Sequence, residues 1–459
     1  MAVDHERLQS LIRDGKYEEA MRCAIVLLQA NATDLHAWYE LSKLCLELGE
    51  KKAAALGLTS AGREYAENGN LPMAIICIKD LEAAGEETAE HKKDLAAMYG
   101  KGSKRVRDRA MPVPPLPSAI KDEKLEKLPT GKEELLKEAA KLITLADESA
   151  KMARGMRDES LALPYFPMFG ALAEENFIEI IGCFSPRRFH AGDFLIRQGE
   201  VAAEVYLLAK GELEVLIEKK ARDDTGKTMK LEFKHIATLG PGTLIGEMGM
   251  VAKTPRSAHV KANSSGLMLS AEIDSFEELS ERIPEIADVI VAFCEIRLME
   301  NVMATSPILL PIEAKERAEV LRTFERIYVP AGDIIIQEGE QPKGIYVIVS
   351  GEVGVTKTGK EKLPDKKVRS ETKDMIFITT LVSGNIFGEI STVMNKPATA
   401  TVHSVTDAAL LFMPSDKFMT FTKTYPQVFQ KIYEIVSERE SEITEILSRK
   451  TSTDGEIIE

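Results

Sequence analysis

The chain has 459 residues, 44% of them hydrophobic, which is enough for about three domains with buried cores. A formal net charge of −14 argues against a general nucleic-acid partner, because duplex binding needs a clustered basic face. Five scattered cysteines (Cys23, Cys45, Cys77, Cys183, Cys294) and seven dispersed histidines give neither a disulfide framework nor metal-ligand spacing, so no metal is expected.

The start, Met1-Ala2-Val3-Asp4-His5-Glu6, is not that of a signal peptide. No apolar run approaches the roughly 20 residues that span a bilayer. The expectation is a soluble cytoplasmic protein with no membrane insertion. Residues 1–99 have a helical period, with Leu8, Leu11 and Ile12 on one face and Ala20, Cys23, Ala24, Leu27 and Leu28 on the next. The turns at Gly15 and Gly49 are 34 residues apart, the period of a tetratricopeptide hairpin, and Trp38, Leu41 and Leu48 strengthen that likeness. A third turn at Gly69 breaks the period, so the later helices read as a looser stack, with a generic helical bundle as the alternative.

Residues 100–130 form a basic, proline-rich linker (Lys101, Lys104, Arg105, Arg107, Arg109, then Pro112, Pro114, Pro115, Pro117) that reads as a semi-rigid spacer. A connecting helix follows over 131–158, with Leu135, Leu136, Ala139, Leu142, Ile143 and Ala146 as its apolar stripe. Two units at 159–303 and 304–450 then share one pattern: a short helix, brief strands bounded by glycines, and closing helices around Pro284 and Pro426. Such strands describe a small jelly roll. A tail, 451–459, ends the chain. The fold class is therefore multidomain: an N-terminal all-α helical repeat, then two β jelly-roll units with flanking helices.

The two units are copies. Gly192, Gly199 and Gly211 recur 140 positions later as Gly332, Gly339 and Gly351, while Gly246 and Pro255 recur 142 later as Gly388 and Pro397, as if a surface hairpin between them had gained two residues. One signature is written twice. The first copy reads Gly246-Glu247-Met248 and then Arg256-Ser257-Ala258; the second reads Gly388-Glu389 and then Ala398-Thr399-Ala400. The glycine permits close backbone approach to a ligand, and the arginine offers a planar donor fork that matches two phosphate oxygens. An ionised glutamate only accepts, so it suits a sugar hydroxyl. In the second copy Ala398 replaces the arginine, and Thr392 stands where an aliphatic residue is expected. Losing a charge-assisted contact of about 1.5–3 kcal/mol weakens binding by roughly 10- to 150-fold. The second pocket thus reads as degenerate, with a weak or altered site as the alternative. Thr225-Gly226-Lys227-Thr228 has the end of a nucleotide-triphosphate loop without its leading glycine, and reads better as a hairpin tip.

With Leu195 to Gly211 and Ile336 to Gly351 leading into these signatures, both units resemble the cyclic-nucleotide-binding domain of bacterial catabolite-activator-type regulators and of the regulatory subunits of cyclic-AMP-dependent kinases. The resemblance implies that Glu247 binds the ribose 2′-hydroxyl and Arg256 the cyclic phosphate, with Gly246, Met248, Ser257 and Ala258 around them. It implies cyclic AMP ahead of cyclic GMP as ligand. The expected function is a receptor without catalysis of its own, in which the 275–303 helical segment closes over the purine and the N-terminal repeats dock a protein partner. Two alternatives stand: an inhibitory regulatory subunit of a kinase, and a scaffold with both pockets empty. A transcription factor is disfavoured because only 451–459 follow the last helix.

Overall fold

A computed structural model of the chain describes residues 2–107, 120–156, 162–222, 229–247, 256, 258–341, 343–358 and 375–453. It divides into two compact units, 1–250 with 258–293, and 251–257 with 294–459.

The first unit opens with six helices: α1 (His5–Arg13), α2 (Tyr17–Ala30), α3 (Leu35–Leu48), α4 (Lys51–Glu67), α5 (Leu71–Ala84) and α6 (Ala89–Tyr99). Local sequence sets their ends. Asp4, Asp34 and Asn70 accept from the free N–H groups of Arg7, Ala37 and Met73, so three helix starts are capped by side chains. Consecutive helices pack side by side from α1 to α6. The face anticipated for α2, Ala20 to Leu28, is buried, as are Trp38 and Leu41 of α3.

Helix α7 (Lys132–Gly155) is no bare connector. It lies on α2, α3 and α4, burying Leu135, Ala139, Ile143 and Ala146. Polar contacts fix its register, with the Ser60 hydroxyl donating to Asp147 at 2.6 Å and Arg154 to Glu64 at 2.6 Å. Both described ends of the proline-rich segment are also held. Val106–Arg107 pairs in parallel with Leu163–Pro164, Ile120–Lys121 pairs with Ala2–Val3, and Arg22 donates to the Leu125 carbonyl at 2.6 Å. Arg109 and Pro112 to Pro117 lie outside the described residues, as do Thr225 to Thr228.

After α8 (Pro167–Gly170) and α9 (Glu174–Gly182) comes a jelly roll of eight strands: β1 (Ser185–Phe189), β2 (Phe194–Ile196), β3 (Glu204–Lys210), β4 (Leu213–Arg222), β5 (Met229–Leu239), β6 (Leu244–Ile245), β7 (His259–Ala262) and β8 (Gly266–Glu272). They form two antiparallel sheets, ordered β6-β3-β8-β1 and β2-β7-β4-β5. Helices α10 (Ile273–Arg282) and α11 (Pro284–Thr305) follow, broken at Pro284, which lacks the N–H to continue the preceding helix.

The second unit repeats the plan. After α12 (Ala314–Leu321), strands β9 (Glu325–Val329), β10 (Ile334–Ile336), β11 (Gly344–Ser350), β12 (Val353–Thr358), β13 (Met375–Leu381), β14 (Ile386–Phe387), β15 (Thr401–Ser404) and β16 (Ala408–Pro414) form sheets β14-β11-β16-β9 and β10-β15-β12-β13. Short helix α13 (Glu389–Met394) lies between β14 and β15, and α14 (Ser415–Thr424) and α15 (Pro426–Thr453) close the unit. Even irregularities recur: the β3–β8 ladder skips Ala209 and the β11–β16 ladder skips Val349, 140 positions on. The interiors match in the same way. Tyr206, Leu208, Leu213 and Met268 fill the first core, and Tyr346, Ile348, Val353 and Leu410 the second.

The helices and the first jelly roll share a polar joint. On β1, Arg188 donates two parallel bonds to the fully buried Glu40 carboxylate, at 2.8 and 2.9 Å, and a third to Gln9. Gln9 in turn donates to Glu40 at 2.9 Å and lies 3.1 Å from His36. Asn70 donates to the Ala209 carbonyl at 3.2 Å, so the bulged strand edge is used as an acceptor. Burial, only partly offset by the Glu40 and Asp34 carboxylates, pushes the nearby Lys210 ammonium down to about 7.

Candidate nucleotide sites

In the first jelly roll, Leu244 and Ile245 pair with Leu207 and Tyr206, and the chain then turns at Gly246, whose φ of 87° is left-handed and favours glycine. Glu247 follows directly and is buried. Ala258 sits half-buried at the entry to β7, and Arg256 is half-buried. Met248 and Ser257 lie outside the described residues. A strand end, a glycine turn and a buried carboxylate thus follow one another at Ile245, Gly246 and Glu247.

The second jelly roll shows the corresponding place in more detail. Ile386 and Phe387 pair with Val347 and Tyr346, and the Tyr346 and Phe387 rings stack at 4.8 Å. Gly388 then adopts φ 79° with its backbone packed closely: a Cβ there would lie 2.6 Å from the Gly344 carbonyl oxygen. Glu389 opens α13 and is 2% exposed. Thr392, at the position expected to be aliphatic, donates its hydroxyl to the Gly344 carbonyl at 3.1 Å, which accounts for a polar residue in a buried place.

Ala398 is buried and stitched by its backbone to the turn before β11, with Gly339 N donating to Ala398 O at 2.8 Å and Ala398 N to Glu340 O at 2.7 Å. Lys357 donates to the Thr399 carbonyl at 2.8 Å, and Ala400 is buried beside β15. Lys396, the nearest cation in sequence, is exposed. The structure therefore brings Gly388 and Ala398 to one small cavity, also lined by Ile336, Glu340, Gln341, Lys343, Gly344 and Ser391.

One residue of this site was not visible as such in the sequence. Arg439, on α15, donates through one guanidinium nitrogen to Glu389 at 2.6 Å and to the Ile386 carbonyl at 2.8 Å. The only trace of it in the sequence is spacing: Arg439 follows Glu389 by 50 residues, as Arg297 follows Glu247.

Residues 186–282 and 326–425 match the family described as the cyclic nucleotide-binding domain, one match on each jelly roll. Both β units carry the cyclic nucleotide-binding fold. The whole is multidomain, with N-terminal helices preceding the two domains and helices flanking each. Among curated proteins, the type II regulatory subunit of the cAMP-dependent protein kinase from Drosophila melanogaster is 25% identical over 238 residues, 52% of this chain and 54% of that protein. The regulatory subunit from Blastocladiella emersonii is 22% identical over 237 residues, 52% of each. The chain thus spans about half the length of the curated relatives it matches. Among solved structures, the regulatory domain of Toxoplasma gondii PKA, crystallised with cAMP, is 20% identical and matches 60% of this chain and 92% of that one, with a TM-score of 0.26. Among the described residues no group of histidine, cysteine, aspartate or glutamate side chains is arranged to hold a metal ion, and no helix is long and apolar enough to cross a membrane.

Proposed function

We propose that this chain is a cytoplasmic cyclic-nucleotide receptor, taking cyclic AMP ahead of cyclic GMP, whose ligand state is passed to a protein partner. The observation that carries the proposal is the difference between two copies of one domain. The first retains glycine, buried glutamate and arginine at Gly246, Glu247 and Arg256, while the second has a buried Ala398 at the arginine's position. In the first domain Arg256 would pair with the cyclic phosphate, Glu247 would accept from a ribose hydroxyl, and Met248, Ser257 and Ala258 would complete the loop around them. The proposed output is conformational: a ligand biases two arrangements by its differential affinity, typically 1–3 kcal/mol.

The N-terminal helices, read as tetratricopeptide-like from the 34-residue spacing of the turns at Gly15 and Gly49, are the proposed docking surface for the partner. A second reading, a regulatory subunit that inhibits a kinase, draws support from the curated relatives, which are kinase regulatory subunits matched over about half of this chain. Titration calorimetry with cyclic AMP and cyclic GMP tests the receptor. One site per chain, weakened roughly 10- to 150-fold in Arg256→Ala, is expected; no heat with either nucleotide and an unchanged melting temperature would refute it and leave a scaffold. Capture of a kinase catalytic subunit only in the absence of nucleotide would favour the second reading.

A further inference from the structure

The geometry points to His259 as a positioning residue for the nucleotide loop of the first domain: its ring pins the turn after β2 by accepting from a backbone N–H, and protonation of that ring releases the turn and weakens nucleotide binding. This rests on the reading that the first domain is the one that takes the nucleotide.

His259 opens β7, three residues after Arg256, and is 7% exposed. Its Nδ1 accepts from the backbone N–H of Gln198 at 3.2 Å, in the turn between β2 and β3. The Phe194 and Phe233 rings meet the imidazole edge-on, with centroids 5.7 and 5.3 Å away, and so fix its plane. A ring nitrogen that accepts carries no proton, so the neutral ring is protonated at Nε2, which lies 3.4 Å from a Glu218 carboxylate oxygen. The Gln198 side chain completes the arrangement by accepting from the Glu218 N–H at 2.9 Å.

The second domain contains the same device with a group that does not titrate. Thr401, in the matching place at the start of β15, accepts through its hydroxyl oxygen from the backbone N–H of Glu338 at 3.1 Å. Glu338 stands 140 positions after Gln198, and its side chain accepts from the Thr358 N–H at 2.8 Å, 140 positions after Glu218. Across the sheet His259 pairs with Leu216 and Thr401 with Thr356, so the two places are in register. The next residues of the second turn, Gly339 and Glu340, hold the backbone of Ala398, which has the arginine's position. The turn pinned in this way is thus the support of the loop at that position, and the first domain keeps Gly199 and Glu200 in it.

An imidazolium has two donors and no acceptor, so protonation turns Nδ1 into a donor aimed at the Gln198 N–H, and the bond is lost. Among the described residues, the charged and titratable groups on this outer side of the sheet are Glu214 and Glu218 of β4, Lys261 of β7, His235 of β5, and Arg197 and Glu200 of the turn. Lys261 is engaged by Glu214 at 3.2 Å, and Arg197 stacks on the Phe194 ring at 4.7 Å. Glu218 is then the carboxylate that faces the charged ring at Nε2, while nothing replaces the lost acceptor at Nδ1. Histidine changes charge between about pH 5 and 8, a range in which Arg256 stays charged.

The test is titration calorimetry of the full-length chain with cyclic AMP at about pH 8 and about pH 5.5, on either side of the histidine range. Wild-type affinity should fall about fivefold or more at the lower pH, the effect of one lost acceptor for a buried N–H. His259→Thr, which copies the second domain, should bind within about threefold of wild type at the higher pH and change by less than about twofold between the two. His259→Ala should bind about fivefold or more weakly than wild type at the higher pH. Equal pH dependence in wild type and His259→Thr, or wild-type affinity in His259→Ala, would overturn the proposal. Amide hydrogen exchange without nucleotide judges the anchor by itself. At one fixed pH, His259→Ala should exchange faster over residues 197–200 than either wild type or His259→Thr, with α1–α6 unchanged to show that the variants are folded. Wild-type exchange in His259→Ala would overturn the anchor whatever the calorimetry gave. If the exchange difference is present but wild type takes up no nucleotide, the receptor reading fails and the role of His259 in binding fails with it.

Discussion

Removing the Arg188 guanidinium should cost the first unit several kcal/mol. Glu40 is fully buried between helix and strand, and Arg188 meets both of its oxygens, at 2.8 and 2.9 Å. In Arg188→Met the carboxylate would retain Gln9, which donates at 2.9 Å, and His36 at 3.5 Å. Burial holds His36 neutral, its pKa pushed well below the ordinary value, so it offers Glu40 no full positive charge. Breaking a buried pair from one side typically costs about 3–5 kcal/mol, and a domain of this size loses about 2 °C or more per kcal/mol. The first unit's calorimetric transition should therefore fall by about 6 °C or more. Glu40→Gln together with Arg188→Met should recover over half of that loss, because the new side-chain amide would still accept from Gln9 with no charge to neutralise. A fall below about 2 °C, or a double variant no better than Arg188→Met, would refute the view that this pair joins the helices to the jelly roll.

The remaining expectations are shorter. Arg256→Ala should weaken nucleotide binding by roughly 10- to 150-fold, measured by calorimetry, from the loss of a charge-assisted contact of about 1.5–3 kcal/mol. Gly388→Ala should destabilise the second unit by about 2 kcal/mol or more, seen in its melting transition, since it forces a left-handed φ of 79° and a 2.6 Å approach to the Gly344 carbonyl. Lys210 releases its proton near pH 7 in the folded chain but near 10.5 when unfolded, so between those values the unfolded state holds more protons and stability rises with pH. Lys210→Met should accordingly raise the melting temperature at pH 6, by on the order of 1–2 kcal/mol of stability given partial solvent screening, with the gain shrinking toward pH 9; an equal gain at both pH values would refute the assignment.

Much of the fold was legible because its markers are local. Turn glycines reveal strand ends wherever they stand, so the recurrence of Gly192, Gly199 and Gly211 as Gly332, Gly339 and Gly351 exposed a duplicated jelly roll, and Pro284 and Pro426 marked the breaks between closing helices. The glycine-glutamate step of the candidate site could be read in the same way. What escaped the sequence depends on contacts between distant residues. Arg439 lies 50 residues from Glu389, and Arg188 lies 148 from Glu40; a surface arginine on a strand and one at a buried joint look alike until the partner is placed. Likewise the apolar stripe of α7 showed that it would bury a face, but not that the face would meet α2, α3 and α4. The bulges at Ala209 and Val349 left no local sign, since neither position is a glycine.

The anchoring of the proline-rich segment changes what that segment can do. Its near end is paired with 163–164, its far end with residues 2–3 and with Arg22 of α2, and α7 then returns to the same helices. With both described ends pinned to one body, the segment's length does not set a distance between two bodies. A protease that cut anywhere between Arg107 and Ile120 would give two fragments by denaturing electrophoresis and a single particle by gel filtration.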